Sequence, residues 1–330
     1  MPPIPGIPTT VLVAPDAFKG TLSAAEVAQA IGRGLEAAGR PVDLCPVADG
    51  GEGTLEALLP AIDGELHKVT VSGPLGRAVE ASFALGDGVA VVEMATASGL
   101  GLVAPEERDA IAASTFGTGE LIVVAVQAGA RTVYLGVGGS ATTEGGAGAV
   151  KAIHEAGGLG EARIVVLCDV RTPFEQAARV FAPQKGADPE AVIRLTKRVN
   201  DQARRRRRDP RGVPMTGAAG GLSGGLWAEF DAELVPGAQF VLDAVEFDRR
   251  MRSARAVITG EGKLDQQSLA GKLVSEISTR ARQAGVPCHA IVGTRELDSF
   301  GVRVLDLQAV LEASTTRQIS AAARRLADVL

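Results

Sequence analysis

A short stretch of the chain, residues 47–54, combines residue types that can perform chemistry. It reads Val-Ala-Asp-Gly-Gly-Glu-Gly-Thr and follows a short apolar alternation. Glycines let the backbone adopt positive φ and approach a ligand closely, and successive N–H groups ahead of a helix bind anions. Asp49 and Glu52 add negative charge, which indicates a metal ion or a proton acceptor as well. The alternative is a strand-to-helix loop in which Asp49 is the N-cap.

Three further loops carry the same mixture of glycine, hydroxyl, lysine and carboxylate residues. They are residues 16–21, 138–146 and 260–265. Phosphoryl transfer needs this mixture, because N–H groups and lysines neutralise phosphate oxygens, carboxylates hold Mg²⁺, and one carboxylate accepts the proton of the attacking hydroxyl. Each loop alone is compatible with an ordinary turn. If all four lie at one edge of a sheet, a phosphotransferase site is the better interpretation.

The elements that would position these loops follow a strand–helix alternation. The continuous apolar run 11–14 predicts a strand buried on both faces. A helix is predicted over 23–38, with Ser23 and Glu26 at capping-box spacing, and a second strand over 42–47. This order is typical of a doubly wound sheet, whose ligands bind at the carboxyl ends of the strands.

From about residue 67 the pattern changes to polar–apolar alternation, which favours antiparallel hairpins. A glycine-dense loop is predicted over 217–225. Strands are predicted again at 256–259, 288–292 and 302–305, alternating with helices. We therefore predict an α/β protein of two domains. A doubly wound, Rossmann- or flavodoxin-like parallel-sheet domain (residues 1–65 and 255–330) holds an inserted α/β domain with a mixed sheet (66–254), and the active site is expected in the cleft between them.

Composition excludes several classes of function. A net charge of −5 and a pI near 5.4 argue against nucleic acid as a partner, so the five arginines at 204–208 are interpreted as a solvated helix end. The three cysteines and three histidines are scattered, which fits a reduced cytoplasmic protein and argues against zinc. No apolar run is long enough to span a membrane, and residues 1–10 are interpreted as a loose leader rather than a signal peptide.

The loop 136–141 matches the dinucleotide pattern G-x-G-x-x-A between a strand and a helix. The acidic residue expected about 20 positions later at a strand end is missing, since Glu155 lies in helical sequence. A Walker A loop is also absent, because Gly262-Lys263 and Gly271-Lys272 are each followed by Leu. A nicotinamide-dependent oxidoreductase is therefore kept only as an alternative.

Several longer motifs resemble, in order, those of bacterial class I glycerate kinases. They are residues 14–23 (Ala-Pro-Asp-Ala-Phe-Lys-Gly-Thr-Leu-Ser), 46–54, 138–148, 181–187, 217–226 and 258–271. The resemblance implies a two-domain α/β kinase that depends on ATP and Mg²⁺ and phosphorylates D-glycerate, in this family usually to 2-phosphoglycerate. This sequence departs from the pattern of the family at Thr143-Glu144, where Asn-Asp is usual. A non-catalytic sugar-acid binding protein on the same fold is therefore a further alternative.

The loops and the resemblance together give a hypothesis for the site. We predict that Lys19 stabilises phosphate charge and that Asp49 or Asp265 orients or deprotonates the attacking hydroxyl. The predicted Mg²⁺ ligands are Glu52 and Glu261, with contacts to the ribose as the alternative role of both. The predicted nucleotide and phosphate contacts are Gly138, Gly139, Ser140, Thr142, Lys185 and Lys263, with Lys272 as a further candidate, and the predicted substrate contacts are Asp16, Ser23, Gly50 and Gly51. A homodimer is compatible with the sequence.

Overall fold

The computed structural model describes residues 9–330, with the side chain of Ala270 excepted. Residues 1–8, most of the predicted leader, lie outside the described residues. The chain divides into two compact units. The first contains the described residues up to Asp49 together with Ala238–Leu330, and the second contains Gly50–Gly237. None of the helices in the described part is both long and apolar enough to cross a bilayer.

Thirteen strands and thirteen α-helices are present among the described residues. The strands are β1 (Val11–Pro15), β2 (Val42–Leu44), β3 (Glu65–Ser72), β4 (Ala78–Gly86), β5 (Val89–Glu93), β6 (Thr132–Gly136), β7 (Arg163–Leu167), β8 (Glu233–Val235), β9 (Ala256–Gly260), β10 (Lys263–Leu264), β11 (Cys288–Val292), β12 (Thr294–Arg295) and β13 (Leu307–Glu312). The helices are α1 (Ala24–Glu36), α2 (Thr54–Leu58), α3 (Ala95–Ser98), α4 (Phe116–Gln127), α5 (Ala147–Glu155), α6 (Ala177–Phe181), α7 (Pro189–Ala203), α8 (Ala218–Phe230), α9 (Gly237–Ala244), α10 (Phe247–Arg252), α11 (Leu273–Ala284), α12 (Ser299–Val304) and α13 (Thr316–Leu326).

The first unit is built on a five-stranded sheet in the order β13-β11-β9-β1-β2, in which all pairs are parallel. β1 lies between β9 and β2 and is buried along its whole length. Val11 and Val13 join a cluster with residues of α1 and α13, and Leu12 between them is equally buried. Both faces of the sheet are therefore covered, as the apolar run 11–14 predicts.

Helix α1 begins where the capping box predicts. Ser23 accepts a hydrogen bond from the Glu26 N–H, and the Glu26 carboxylate accepts one from the Ser23 N–H. This capping box satisfies two of the N–H groups that a helix start leaves unpaired. Further along α1, a Cβ on Gly34 would lie 2.2 Å from the carbonyl oxygen of Ser320 on α13. Glycine at this position thus permits the close packing of the two helices.

The second unit contains a mixed six-stranded sheet in the order β3-β4-β5-β6-β7-β8. β3, β4 and β5 form antiparallel pairs, whereas β5 to β8 are parallel. The core residues of this sheet pack against α4, α5 and α8 in one apolar cluster. The prediction of a parallel sheet plus a separate mixed sheet is confirmed.

Two local predictions are wrong. Residues 302–305 were expected to form a strand, but they end α12 and the helical turn after it, because Asp298 caps this helix by accepting from the Gly301 N–H. The last strand is β13, which follows instead. The glycine-dense stretch 217–225 is not a simple loop: after three residues with left-handed backbone, Ala219, Gly220 and Gly221, it continues as helix α8.

The arginine run 204–208 follows α7, and most of its charges are paired within the second unit. Arg206 lies 3.5 Å from Glu229 and its side chain is only 10% exposed. Arg207 and Arg208 both pair with Asp231, and Arg208 stacks over the Trp227 ring. The run therefore joins the end of α7 to α8, and the prediction of a solvated helix end is wrong for Arg206.

Candidate active site

A pocket of about 370 Å³ lies in the first unit, at the carboxyl ends of the sheet strands. The loops that follow β1, β2, β9, β11 and β13 all contribute to it, together with the start of α11. Its lining residues are Asp16, Ala17, Phe18, Lys19, Thr21, Asp49, Glu261, Gly262, Lys263, Asp265, Lys272, Leu273, Gly293, Thr294 and Ser314. This size and position suit a small-molecule site on an open parallel sheet.

Three charged groups meet at the ends of β1 and β2. The Lys19 Nζ lies 3.3 Å from the Asp49 Oδ2, and the Asp49 charge raises the pKa of Lys19. Asp16 is only 5% exposed, and its Oδ1 accepts from the Ala17 N–H at 2.7 Å. Burial, and then the negative charge of Asp49, raise the pKa of Asp16 well above its ordinary value. Three of the predicted residues thus form one electrostatic group.

Two more carboxylates come from the segment after β9. The Glu261 Oε1 accepts a hydrogen bond of 2.6 Å from the Ser268 hydroxyl, and burial raises the pKa of Glu261 to about 7. The Asp265 Oδ1 accepts from the Gln267 N–H at 2.8 Å. The pocket therefore contains both candidate bases, Asp49 and Asp265, and one of the two predicted Mg²⁺ ligands.

Two further lysines that line the pocket, Lys263 and Lys272, provide positive charge. Lys263 lies 2.9 Å from Glu296 and is half-exposed. Lys272 occupies the N-cap position of α11, and its Nζ donates to the Gln267 Oε1 at 2.7 Å. A lysine beside the start of a twelve-residue helix favours anion binding, because the helix N–H groups and dipole act in the same direction.

The remaining predicted residues do not line this pocket. Ser23 caps α1, and Glu52 is exposed in the turn before α2, which is capped by Gly53 rather than by Asp49. Gly50 and Gly51 pack inside the second unit. A Cβ on Gly50 would lie 2.6 Å from the Leu167 carbonyl oxygen, and one on Gly138 would lie 2.4 Å from the Gly51 Cα. Close backbone packing at the ends of β6 and β7 therefore explains these glycines.

Lys185 holds the loop 138–142 from inside the second unit. It is 2% exposed, and its Nζ donates to the Ser140 Oγ at 2.7 Å and to the Thr142 carbonyl oxygen. No carboxylate of the described residues pairs with it, and burial lowers the pKa of Lys185 to about 7. Ser140, Thr142 and Lys185 thus lie together in the second unit, where Lys185 is buried.

The lowered pKa of Lys185 predicts a pH dependence of stability. The unfolded chain binds more protons at this residue between pH about 7 and its usual pKa of 10.5, so the folded state gains stability as pH rises through this range. The free energy of unfolding of the wild type, minus that of Lys185→Met, should increase by about 2–3 kcal/mol from about pH 7 to about pH 9.5. Urea unfolding at both pH values measures it.

The matched control for this experiment is Lys151→Met, on the exposed face of α5. The difference in the free energy of unfolding between the wild type and Lys151→Met should be the same at both pH values. A constant difference for Lys185→Met would show that Lys185 is charged in the folded state.

Comparison with known proteins decides the family. The sequence pattern that defines the glycerate kinase family matches residues 11–156 and 154–329. The chain belongs to the glycerate kinase family. It is 39% identical to a glycerate kinase of Halalkalibacterium halodurans, over 86% of this chain and 85% of the relative. It is 37% identical to glycerate 2-kinase of Escherichia coli K12, over 93% and 91%.

A solved structure from Salmonella typhimurium LT2, assigned as glycerate kinase 2, has the same fold. Its TM-score is 0.82 at 34% identity, with 98% of each chain covered. The predicted resemblance is thus confirmed, and the chain is an enzyme of a phosphotransferase family. The oxidoreductase alternative loses its support. In addition, the loop 136–141 does not lead directly into a helix, since α5 starts only at Ala147.

Within this glycerate kinase family member, Glu144 is a buried carboxylate at the start of the segment that leads into α5. It is 4% exposed. Its Oε1 accepts from the backbone N–H groups of Thr115 and Gly148 and from the hydroxyls of Ser114 and Thr115, at 2.7–3.0 Å. The Arg198 guanidinium lies 3.5 Å from the Oε2. This carboxylate therefore ties the starts of α4 and α5 together.

The burial of Glu144 predicts a large loss of stability on truncation. Glu144→Ala leaves buried donors unpaired and should lower the free energy of unfolding by about 3–5 kcal/mol. Urea unfolding measures the loss. The control is Glu155→Ala, an exposed residue of α5, for which a change within about 0.5 kcal/mol is expected. An equal, small effect of both substitutions would contradict a structural role of Glu144.

The donor set of the pocket fits Mg²⁺. This ion prefers oxygen ligands and is usually bound through one or two carboxylates plus substrate phosphates. Within the described part of the chain, no group of three His, Cys, Asp or Glu side chains is placed so that it could hold a metal ion by itself. The buried Asp16 repels Asp49 and Glu261, so a cation there would relieve the repulsion. Asp16 and Glu261 are the side chains that would hold it.

Sequence reasoning missed the lining residues Thr294 and Ser314 and also Ser268, which supports the pocket without lining it. Thr294 follows β11, which was predicted correctly, so the rule that ligands bind at strand ends would have found it. Ser314 follows β13, and the rule would have found it only if the last strand had been predicted correctly.

Proposed function

We propose that this protein transfers the γ-phosphate of ATP to D-glycerate and forms 2-phospho-D-glycerate. The observation that carries the proposal is the pocket at the carboxyl edge of the parallel sheet, which combines four carboxylates with three lysines. Such a site can neutralise a triphosphate and accept a proton at the same time. The Escherichia coli relative is named glycerate 2-kinase, which favours the 2-hydroxyl as the acceptor.

Asp49 is the proposed base, and Lys19 is the proposed stabiliser of the transferred phosphoryl group. The two side chains are adjacent, so the proton acceptor and the positive charge lie where the hydroxyl would attack. Asp265 lines the same pocket and is the second candidate base. In this arrangement the Asp49 carboxylate takes the hydroxyl proton, and the Lys19 ammonium balances charge on the transferred oxygens.

The nucleotide phosphates are proposed to bind near Lys263, Lys272 and the start of α11. These groups lie on the β9–α11 side of the same pocket. When bound, Mg²⁺ would neutralise charge on the β- and γ-phosphates. Asp16 and Glu261 would hold it, and Lys19 would remain available to the acceptor side.

An assay of ADP release with Mg·ATP tests the proposal. D-Glycerate should support turnover, whereas L-glycerate should not, and phosphorus NMR should detect 2-phosphoglycerate as the product. Release of ADP with 3-phosphoglycerate as the product would overturn the regiochemistry. A folded protein that binds Mg·ATP without turnover of D-glycerate would overturn the proposed substrate and favour a non-catalytic binding protein.

A further inference from the structure

Ser268 is a buried hydroxyl that contacts two of the pocket's acidic residues without lining the pocket itself. It is 1% exposed. Its Oγ donates to the Glu261 Oε1 at 2.6 Å and accepts from the Asp265 N–H at 3.2 Å. Its own N–H donates to the Asp265 carbonyl oxygen at 3.0 Å. A single side chain thus connects the end of β9 with the turn after β10.

These contacts leave the two oxygens of Glu261 in different situations. The Oε1 is taken by Ser268, whereas the Oε2 accepts no hydrogen bond from the described residues. Glu261 lines the pocket, so its second oxygen is the one available to a ligand. A carboxylate with one oxygen fixed by a buried donor has a defined orientation, as carboxylates around metal ions typically do.

We propose that Ser268 is a positioning residue, which orients the Glu261 carboxylate toward the divalent cation of the bound nucleotide. The inference rests on the proposed function for the identity of that cation. Ser268 acts on the cation through Glu261, and its hydroxyl also accepts from the Asp265 N–H and so joins the turn 265–268 to the end of β9. Substitutions of supporting residues of this kind typically weaken metal binding about 10–100-fold.

A double-mutant cycle tests this role. Binding of Mn²⁺ in the presence of ADP is measured by electron paramagnetic resonance, and kcat/KM for D-glycerate is measured at several Mg²⁺ concentrations. Ser268→Ala should weaken Mn²⁺ binding about 10–100-fold, and Ser268→Thr, which retains the hydroxyl, should restore most of the affinity. In the Glu261→Gln background, Ser268→Ala should cause less than about a threefold further loss, because the group through which it acts has been changed.

Ser278→Ala is the matched control. Ser278 is buried on α11, and its hydroxyl donates to the Ser275 carbonyl oxygen, so the same substitution removes a hydrogen bond outside the pocket and should leave Mn²⁺ binding unchanged. The proposal would be overturned if Ser268→Ala left Mn²⁺ binding unchanged. It would also be overturned if Ser268→Ala weakened Mn²⁺ binding equally in the wild-type and Glu261→Gln backgrounds. Absence of D-glycerate turnover in the wild type would overturn the proposed function alone, because the Mn²⁺ cycle still decides the role of Ser268.

Discussion

Asp49→Asn should lower kcat for D-glycerate about 10²–10⁴-fold. The amide keeps the shape of the side chain but neither accepts the hydroxyl proton nor balances the charge of Lys19, which lies 3.3 Å away. The measurement is steady-state ADP release at saturating Mg·ATP and D-glycerate. Thermal unfolding of the variant confirms that it is folded.

Two further substitutions make this test specific. Asp265→Asn changes the other candidate base, and Asp298→Asn changes an aspartate whose only described role is to cap α12, for which Asn is an equally good residue. We expect Asp298→Asn to retain wild-type activity. A near-native rate for Asp49→Asn, combined with a large loss for Asp265→Asn, would assign the base to Asp265.

Lys19→Met should lower kcat about 10²–10³-fold, the usual cost of removing one group that stabilises charge in the transition state. Asp49 raises the pKa of Lys19, so this residue stays positively charged throughout the neutral range. Lys19→Met also removes a cation beside the buried Asp16 and should raise the pKa of that carboxyl further. Measurement of kcat and KM separately for both substrates checks the prediction.

The comparison variants for Lys19 are Lys19→Arg and Lys68→Met. The arginine keeps the charge and should retain more activity than the methionine. Lys68 is an exposed residue of β3 that pairs with Glu80, and its loss should not change turnover. An increase in KM at constant kcat for Lys19→Met would contradict its role in the transition state, because it would indicate equal stabilisation of the bound substrate.

Strand β1 and helix α1 of the first unit were predictable because their signals are local. The run 11–14 has the composition of a strand buried on both faces, and Ser23 with Glu26 has the spacing of a capping box; both features are present. The four loops were predictable as chemistry-bearing segments by composition. Two of these loops, residues 16–21 and 260–265, line one pocket together with Asp49. They meet there because parallel strands bring their carboxyl ends to the same edge of the sheet.

Other features depend on partners distant in the sequence and could not be predicted. The glycines at 50, 51 and 138 have the composition of an anion site, but their close contacts are with one another and with Leu167. The second unit begins at Gly50, because Gly50 and Gly51 pack against residues of that unit. In the sequence, by contrast, the polar–apolar alternation begins only at about residue 67. The burial of Lys185 and Glu144 likewise depends on residues more than twenty positions away.

The position of β1 between β9 and β2 has a consequence for how the protein is made. Its neighbour β9 follows the whole second unit in the sequence, and the contact of Thr259 with Ala14 spans 245 residues. During synthesis β1 can therefore pair only with β2 until the chain beyond residue 256 has emerged. A two-stranded pair is marginally stable in water, and contacts of such long range form slowly. The second unit, which is contiguous, is expected to fold first, and the pocket is completed only after residue 314 has emerged.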